Sequence, residues 1–194
     1  MAVIGIDYSL SSPAICVSED EDCNFDKCKF FYLTSKNKYD TTIANKFHGE
    51  LHKPWNTPEE RYHNISSWAM KIINEYEPFH ITIEDYAFGA KGRVFHIGEN
   101  MGVLRYRIYR GKHNYAVISP SEVKKFATGK GNAKKELMYE KFYEEHKYNM
   151  IKDFNQTTLD NPVTDIIDSY YICKVGICLL PVSYTHLTLP TNGC

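Results

Sequence analysis

The first three apolar runs of this chain follow one another too closely for a helix to lie between them. Residues 2–7 (Ala-Val-Ile-Gly-Ile-Asp) read as a buried strand that ends in a carboxylate. Residues 14–17 and 28–33 read as the next two strands, and the acidic run 19–22 suits a hairpin turn. A parallel return needs a crossover of a dozen or more residues, usually helical, so the three strands are expected to be antiparallel. Residues 34–57 show little periodicity and read as an irregular loop. From Pro58 the pattern changes. Ile65, Ala69, Ile72, Ile73 and Tyr76 recur at helical spacing, and Pro78 closes that helix. Strands at 79–84 and 115–118 then alternate with helices: one running to about Arg110, one from a Ser119-Pro120 cap with Glu122 to near Gly129, one from Asn132 to about His146, and one after Asn161-Pro162. Three antiparallel strands followed by strand–helix alternation predict a single α/β domain over residues 1–180, a five-stranded mixed sheet with helices on both faces. Residues 181–194, with Pro at both ends and no helical pattern, read as a tail outside the fold, in keeping with a cloning or assembly remnant, and receive no function.

Composition excludes several classes. Apolar residues make up 43% and charged residues 24% of 194, an ordinary globular balance. The longest apolar stretch, 166–180, is broken by Asp168 and Lys174, which argues against a membrane span, and no basic leader precedes Val3. Six cysteines are too few for a disulfide scaffold. The pairs Cys23/Cys28 and Cys173/Cys178 are each separated by four residues with no His nearby, which is not zinc-like spacing, so free thiols in a reducing cytoplasm are expected. The net charge of −1 conceals segregation: residues 1–85 carry −6, residues 86–141 carry +8 and residues 142–194 carry −3. A local excess of this size can steer a polyanion to one side of a neutral protein.

The acidic residues of interest sit at the ends of core elements. Asp7 ends the first strand and Glu84 another; if the two strands are parallel neighbours, both carboxylates leave the same sheet edge, where open α/β folds bind ligands. Asp85, next in line, is expected to face the other way. Asp165 and Asp168 are three apart in a helical segment and share a face. Singly, Asp7 would serve as a strand terminator and Asp165 as first-turn charge compensation, whereas Asp168 interrupts an apolar run and needs a partner. Four converging carboxylates suit Mg²⁺ or Mn²⁺, and two such ions about 4 Å apart support phosphodiester hydrolysis.

Residues 119–136 place Lys124, Lys130, Lys134 and Lys135 around a Gly129–Gly131 bend, an arrangement suited to clamping phosphates though not a Walker loop. Tyr86 and Phe88, with Lys91 and Arg93 close behind, could stack on exposed bases or pack inward.

Taken together these pieces resemble the RuvC-type Holliday junction resolvases of the ribonuclease-H-like superfamily. The resemblance spans about residues 2–180. It rests on Gly5-Ile6-Asp7, Ile83-Glu84, Val123-Lys124-Lys125 with Thr128-Gly-Lys-Gly-Asn-Ala-Lys-Lys135, and Asp165-Ile-Ile-Asp168-Ser169. It implies a ribonuclease-H-like fold, with Asp7, Glu84, Asp165 and Asp168 as catalytic, metal-binding acids holding one or two Mg²⁺ ions, Mn²⁺ being able to substitute. By the same resemblance Lys124 and Lys135 contact phosphate, Tyr86 or Phe88 lies near the junction centre, and a homodimer makes paired nicks in a four-way junction. A symmetric dimer also follows from one site per 22.5 kDa chain, with the helix between His96 and Arg110 and its Met101, Leu104 and Ile108 stripe as the expected contact. The chain departs from the family in Asp7-Tyr8-Ser9, where many relatives have Asp-Pro-Gly, in Ser169 for Ala, and in residues 36–57, which lack a counterpart. Related readings are a metal-dependent nuclease for flaps, other branches or RNA–DNA hybrids, a non-catalytic junction-binding module, and a sugar-kinase or actin-type domain, for which the chain is short.

Overall fold

A computed structural model describes residues 1–85 and 94–180. Its core is a seven-stranded sheet ordered β4-β5-β3-β2-β1-β6-β7. The central strand β1 (Val3–Asp7) pairs antiparallel with β2 (Ala14–Ser18), which pairs antiparallel with β3 (Lys29–Thr34). On its other side β1 runs parallel to β6 (His80–Glu84), with Ile6 opposite Ile83, and β6 runs parallel to β7 (Tyr115–Ile118). These are the five expected strands, the first three antiparallel as expected and the Asp7 and Glu84 strands parallel neighbours.

Two further strands correct the reading of residues 34–57 as an irregular loop. β5 (Phe47–Leu51) lies parallel to β3, and the two-residue β4 (Thr42–Ile43) pairs antiparallel with it. The return from β3 to β5 uses a single 3-10 turn at Asn37–Tyr39 rather than a helix. Phe47 is the one fully buried side chain of β5, so no alternation announced the strand. Gly49 lets it close up: a Cβ there would stand 2.0 Å from the Tyr39 carbonyl oxygen.

Helices cover both faces. α1 (Pro58–Tyr76) and α2 (Val94–Arg110) bury one side of the sheet, where Ile4, Ile6, Ile15 and Ile83 meet Ile65, Ala69, Leu104 and Ile108. α3 (Pro120–Thr128), α4 (Lys135–His146), the single turn α5 (Met150–Asp153) and α6 (Val163–Leu179) bury the other, around an aromatic core of Phe25, Phe30, Phe47, Phe142, Phe154 and Tyr170. Thr57 caps α1 and Pro58 opens it. Ser119 and Glu122 form the expected capping box on α3, and Gly129, at φ 78°, ends that helix. α4 starts at Lys135 rather than Asn132, because residues 130–133 close a turn first, with Ala133 N–H donating to the Lys130 carbonyl at 3.1 Å. Cys16, Cys23, Cys28 and Cys173 are buried thiols in the α6-side core and form no disulfide. Among the described residues no helix is long and apolar enough to cross a membrane. The 181–194 tail lies outside the described residues.

Met101, Leu104 and Ile108, expected at a dimer contact, are 3%, 0% and 0% exposed and pack into the α1–α2 core of their own chain. Helical spacing alone could not tell a stripe facing the sheet from one facing a partner. The outward face of α2 carries instead Phe95, Tyr106 and Tyr109, at 84%, 59% and 71% exposure.

The sheet meets α6 backbone to backbone at Gly5, where a Cβ would lie 2.2 Å from the backbone nitrogen of Cys173. Gly5→Ala is expected to destabilise the protein by about 3 kcal/mol or more, since backbone atoms cannot swing aside. Urea unfolding checks this, and an unchanged midpoint would contradict so close a packing.

Candidate active site

Parallel pairing of β1 and β6 brings Asp7 and Glu84 to the same end of the sheet. α6 crosses that end, and its first turns bring Asp165 and Asp168 over it. All four side chains line one cleft of about 790 Å³. Asp85 lines it too, contrary to the expectation that it faces away. It follows directly on β6, which ends at Glu84, and its N–H donates to the Ile118 carbonyl of β7 at 2.8 Å, the last rung of the β6–β7 ladder.

The four carboxyl groups share a common electrostatic burden. Burial, then the neighbouring charges of Asp165, Glu84 and Asp168, hold Asp7 well above the usual carboxylate range, with Lys135 opposing. Burial and then Asp168 push Glu84 up to about 8, against the pull of Lys124 and Lys135. Burial lifts Asp168 to about 6, where Lys135 counters and Asp165 adds. Asp165 is raised by burial and pulled back by Lys135 and by the nearby Ser12 and Thr164 hydroxyls.

Two of the four singled-out lysines reach this cleft. Lys124 comes from α3 and Lys135 from the first turn of α4. Lys135 Nζ lies 3.6 Å from Asp165 Oδ1 and donates to Thr164 Oγ1 at 3.0 Å. Lys130 and Lys134 stay exposed on the turn between α3 and α4, outside the cleft lining. Tyr86, Phe88, Lys91 and Arg93 lie outside the described residues.

Sequence reasoning missed the polar frame around the acids. Asn161 Nδ2 donates to Ser12 Oγ at 2.7 Å, and the Thr164 hydroxyl donates to Asn161 Oδ1 at 2.7 Å. The chain from Ser12 through Asn161 and Thr164 to Lys135 thus braces the start of α6 against the β1–β2 loop. Trp55, Arg61, Tyr62 and His96 form another wall, with the Tyr62 hydroxyl 2.6 Å from His96 Nδ1 and donating to Glu99 Oε2 at 2.9 Å. These residues sit at loops and helix starts without periodicity; only Ser12 and Asn161, just after the first acid and just before the last helix, could have been suspected.

The donor set fits hard divalent cations. Asp165 Oδ2 is buried without a hydrogen-bond partner, and four carboxyls are held in one cleft against their own repulsion. As placed, no three His, Cys, Asp or Glu side chains among the described residues are drawn up in ion-holding geometry.

This sheet order, with acids at the ends of β1 and β6 and at the start of α6, defines a ribonuclease-H-like α/β domain. Residues 47–141 match the family model of the crossover junction endodeoxyribonuclease RuvC, so the chain is RuvC-like in sequence across β5 to α4. That segment contains Glu84, Lys124 and Lys135, whereas Asp7, Asp165 and Asp168 lie outside it and rest on geometry. The fold is similar to that of Thermus thermophilus RuvC in complex with a Holliday junction substrate, at a TM-score of 0.58 and 16% identity over 89% of this chain and 92% of that one. It is similar to the yeast mitochondrial Holliday junction resolvase, at 0.53 and 14% over 96% and 84%. Fowlpox virus resolvase bound to junction DNA gives 0.53 and 12% over 93% and 100%. No curated protein sequence matches.

Raised carboxyl pKa values mean that the folded chain keeps protons the unfolded chain has released. Without divalent ions, stability is therefore fullest below about pH 4 and falls as pH climbs through about 6 for Asp168 and about 8 for Glu84. Thermal melts in EDTA should show a midpoint that drops between pH 5 and pH 9. D168N and E84Q should each flatten that slope by about one proton. Slopes identical to wild type would show that these carboxyls are not paying the charge penalty.

Proposed function

We propose that this protein is a structure-selective endonuclease that resolves four-way DNA junctions by paired symmetric nicks. The observation that carries the reading is the convergence of Asp7, Glu84, Asp165 and Asp168 on one cleft with Lys124 and Lys135 at its edge. The RuvC-family segment and the junction-bound neighbours support it. In this reading Asp7, Glu84, Asp165 and Asp168 would hold one or two Mg²⁺ ions, or Mn²⁺ in their place. Such ions, when bound, supply Lewis acidity for attack of water on phosphorus and for departure of the 3′ oxygen. Lys124 and Lys135 neutralise the phosphate that enters, and Thr164 keeps the Lys135 ammonium directed at the cleft rather than at bulk solvent. Lys130 and Lys134 meet the backbone further along an arm; Tyr86, Phe88, Lys91 and Arg93 are proposed to contact DNA on sequence grounds alone. We read the chain as a cytoplasmic protein, in keeping with the buried thiols of Cys16, Cys23, Cys28 and Cys173, which form no disulfide.

The proposed working form is a homodimer, because two like strands must be cut at equivalent positions and each chain has one such cleft. Phe95, Tyr106 and Tyr109 fall within one helical face of α2, and Gly102 between them has open space above it. This is the surface a second copy would cover. Sedimentation at micromolar protein should show a dimer for the wild type and a monomer for Tyr106→Asp with Phe95→Asp; a wild-type monomer that still makes coordinated paired nicks would contradict the assembly.

The functional test is an immobile, end-labelled four-way junction with Mg²⁺ beside flap, duplex and RNA–DNA hybrid controls. Symmetric nicks in the junction alone are expected; cutting of flap or hybrid in preference would give the related nuclease reading, and tight binding without cutting the binding-module reading. D7N and D168N should lose cleavage by a factor of about a hundred or more while still binding the junction, since ligand charge is removed and the basic surface is kept. K124A with K135A should lower the salt dependence of binding by about one phosphate contact per lysine that touches DNA. An unchanged slope would leave the pair as ordinary surface charge.

A further inference from the structure

The chain has two tryptophans. Trp68 is 7% exposed in the core beneath α1, whereas Trp55 is 41% exposed and lines the same cleft as the four acids. Trp55 belongs to the segment 52–57 just before α1, which the proposed chemistry does not use. An indole left half in water forfeits much of its burial free energy, yet this one is held firmly. The Arg61 guanidinium sits over its ring at 4.5 Å and His52 meets it edge-on at 5.9 Å. Arg61 in turn donates to the Leu10 carbonyl at 2.8 Å, and a His52 ring nitrogen lies 2.9 Å from the Ser11 carbonyl, so both neighbours of the indole are fastened to the loop that follows Asp7. The next residues are equally fixed. Asn56 N–H donates to Glu60 Oε2 at 2.7 Å, and Thr57 caps α1. A rigid, half-exposed aromatic ring, backed by a cation and tied to the loop beside the acids, is what stacking on a nucleobase requires.

We propose that Trp55 is a stacking platform for an unpaired nucleobase next to the scissile phosphate, and that it helps the cleft select branched DNA over duplex. The inference rests on the nuclease reading and extends it. Within a continuous duplex both faces of every base are already covered by its neighbours, so an indole can engage only a base whose stack is interrupted, as at a branch point. The acids and lysines act on phosphates and cannot make that distinction; an aromatic surface can.

The test uses the full chain in EDTA with an immobile junction carrying 2-aminopurine beside the branch point, and with a linear duplex carrying it in mid-arm. Binding of the junction should quench both 2-aminopurine and tryptophan emission; the duplex should do neither. W55F should keep the 2-aminopurine response and lose the tryptophan change, since Trp68 is shielded. W55A should lose both, bind the junction about tenfold more weakly, and, in Mg²⁺, cut at more scattered positions. The wild-type response carries the test even if W55A folds poorly. Unchanged emission from a wild-type protein that binds and cuts the junction would overturn the platform and leave the nuclease standing. A wild type that neither binds nor cuts the junction would overturn both.

Discussion

Everything at the cleft depends on how closely α6 lies on the sheet. At Gly5 the helix backbone is where a β-carbon would have to go, and at Gly176 an added Cβ would stand 2.1 Å from the hydroxyl oxygen of Thr82 in β6. Gly5 and Thr82 are opposite each other in the β1–β6 ladder, so the two glycines, one on each side of the contact, let the helix straddle the central strand pair. Two turns nearer its start, the same helix carries Asp165 and Asp168. A helix held further off by ordinary side chains would carry those carboxylates away from Asp7 and Glu84, and the cleft would lose half of its charge.

That closeness costs electrostatic free energy, and the surroundings show how the chain withstands it. The carboxyls are pressed upward in pKa by burial and by one another. Relief comes from Lys124 and Lys135, which belong to the basic central third of the sequence, while the acids belong to the acidic thirds that flank it. The near-zero net charge of the whole chain is thus the sum of two opposed regions that the fold brings face to face. The two ammonium groups offset part of the repulsion among the four carboxyls.

Much of this was legible in advance, for identifiable reasons. Short connections dictated the antiparallel start, Pro58 and the Ser119 box fixed two helix starts to the residue, and the positions of Asp7 and Glu84 at the ends of apolar runs gave their place in the sheet. What escaped was information carried by tertiary contact. β5 is a strand because Phe47 packs among Phe25, Phe30 and Phe154 and because Gly49 admits the Tyr39 backbone, neither of which leaves a periodic trace. The α2 stripe of Met101, Leu104 and Ile108 was visible as a stripe, but only the sheet beneath it settled which way it faces. Among the lysines, spacing could not separate Lys135, turned to the cleft by Thr164, from Lys134, its neighbour, which begins the helix from the outside.

The floor and the walls of the cleft therefore have different duties. The acids are built into β1, β6 and α6, closely packed elements of the fold, and in the proposed function their chemistry would be indifferent to which phosphodiester they meet. The walls come from the β1–β2 loop, residues 52–61 and the start of α2, joined by the Arg61–Leu10, His52–Ser11 and Tyr62–His96 contacts. In the proposed function, discrimination between a branch, a flap and a plain duplex would fall to these walls, where the shape of the nucleic acid is met; residues 47–57 lie within the segment that matches the RuvC family model, which corrects from residue 47 onward the expectation that residues 36–57 lack a counterpart.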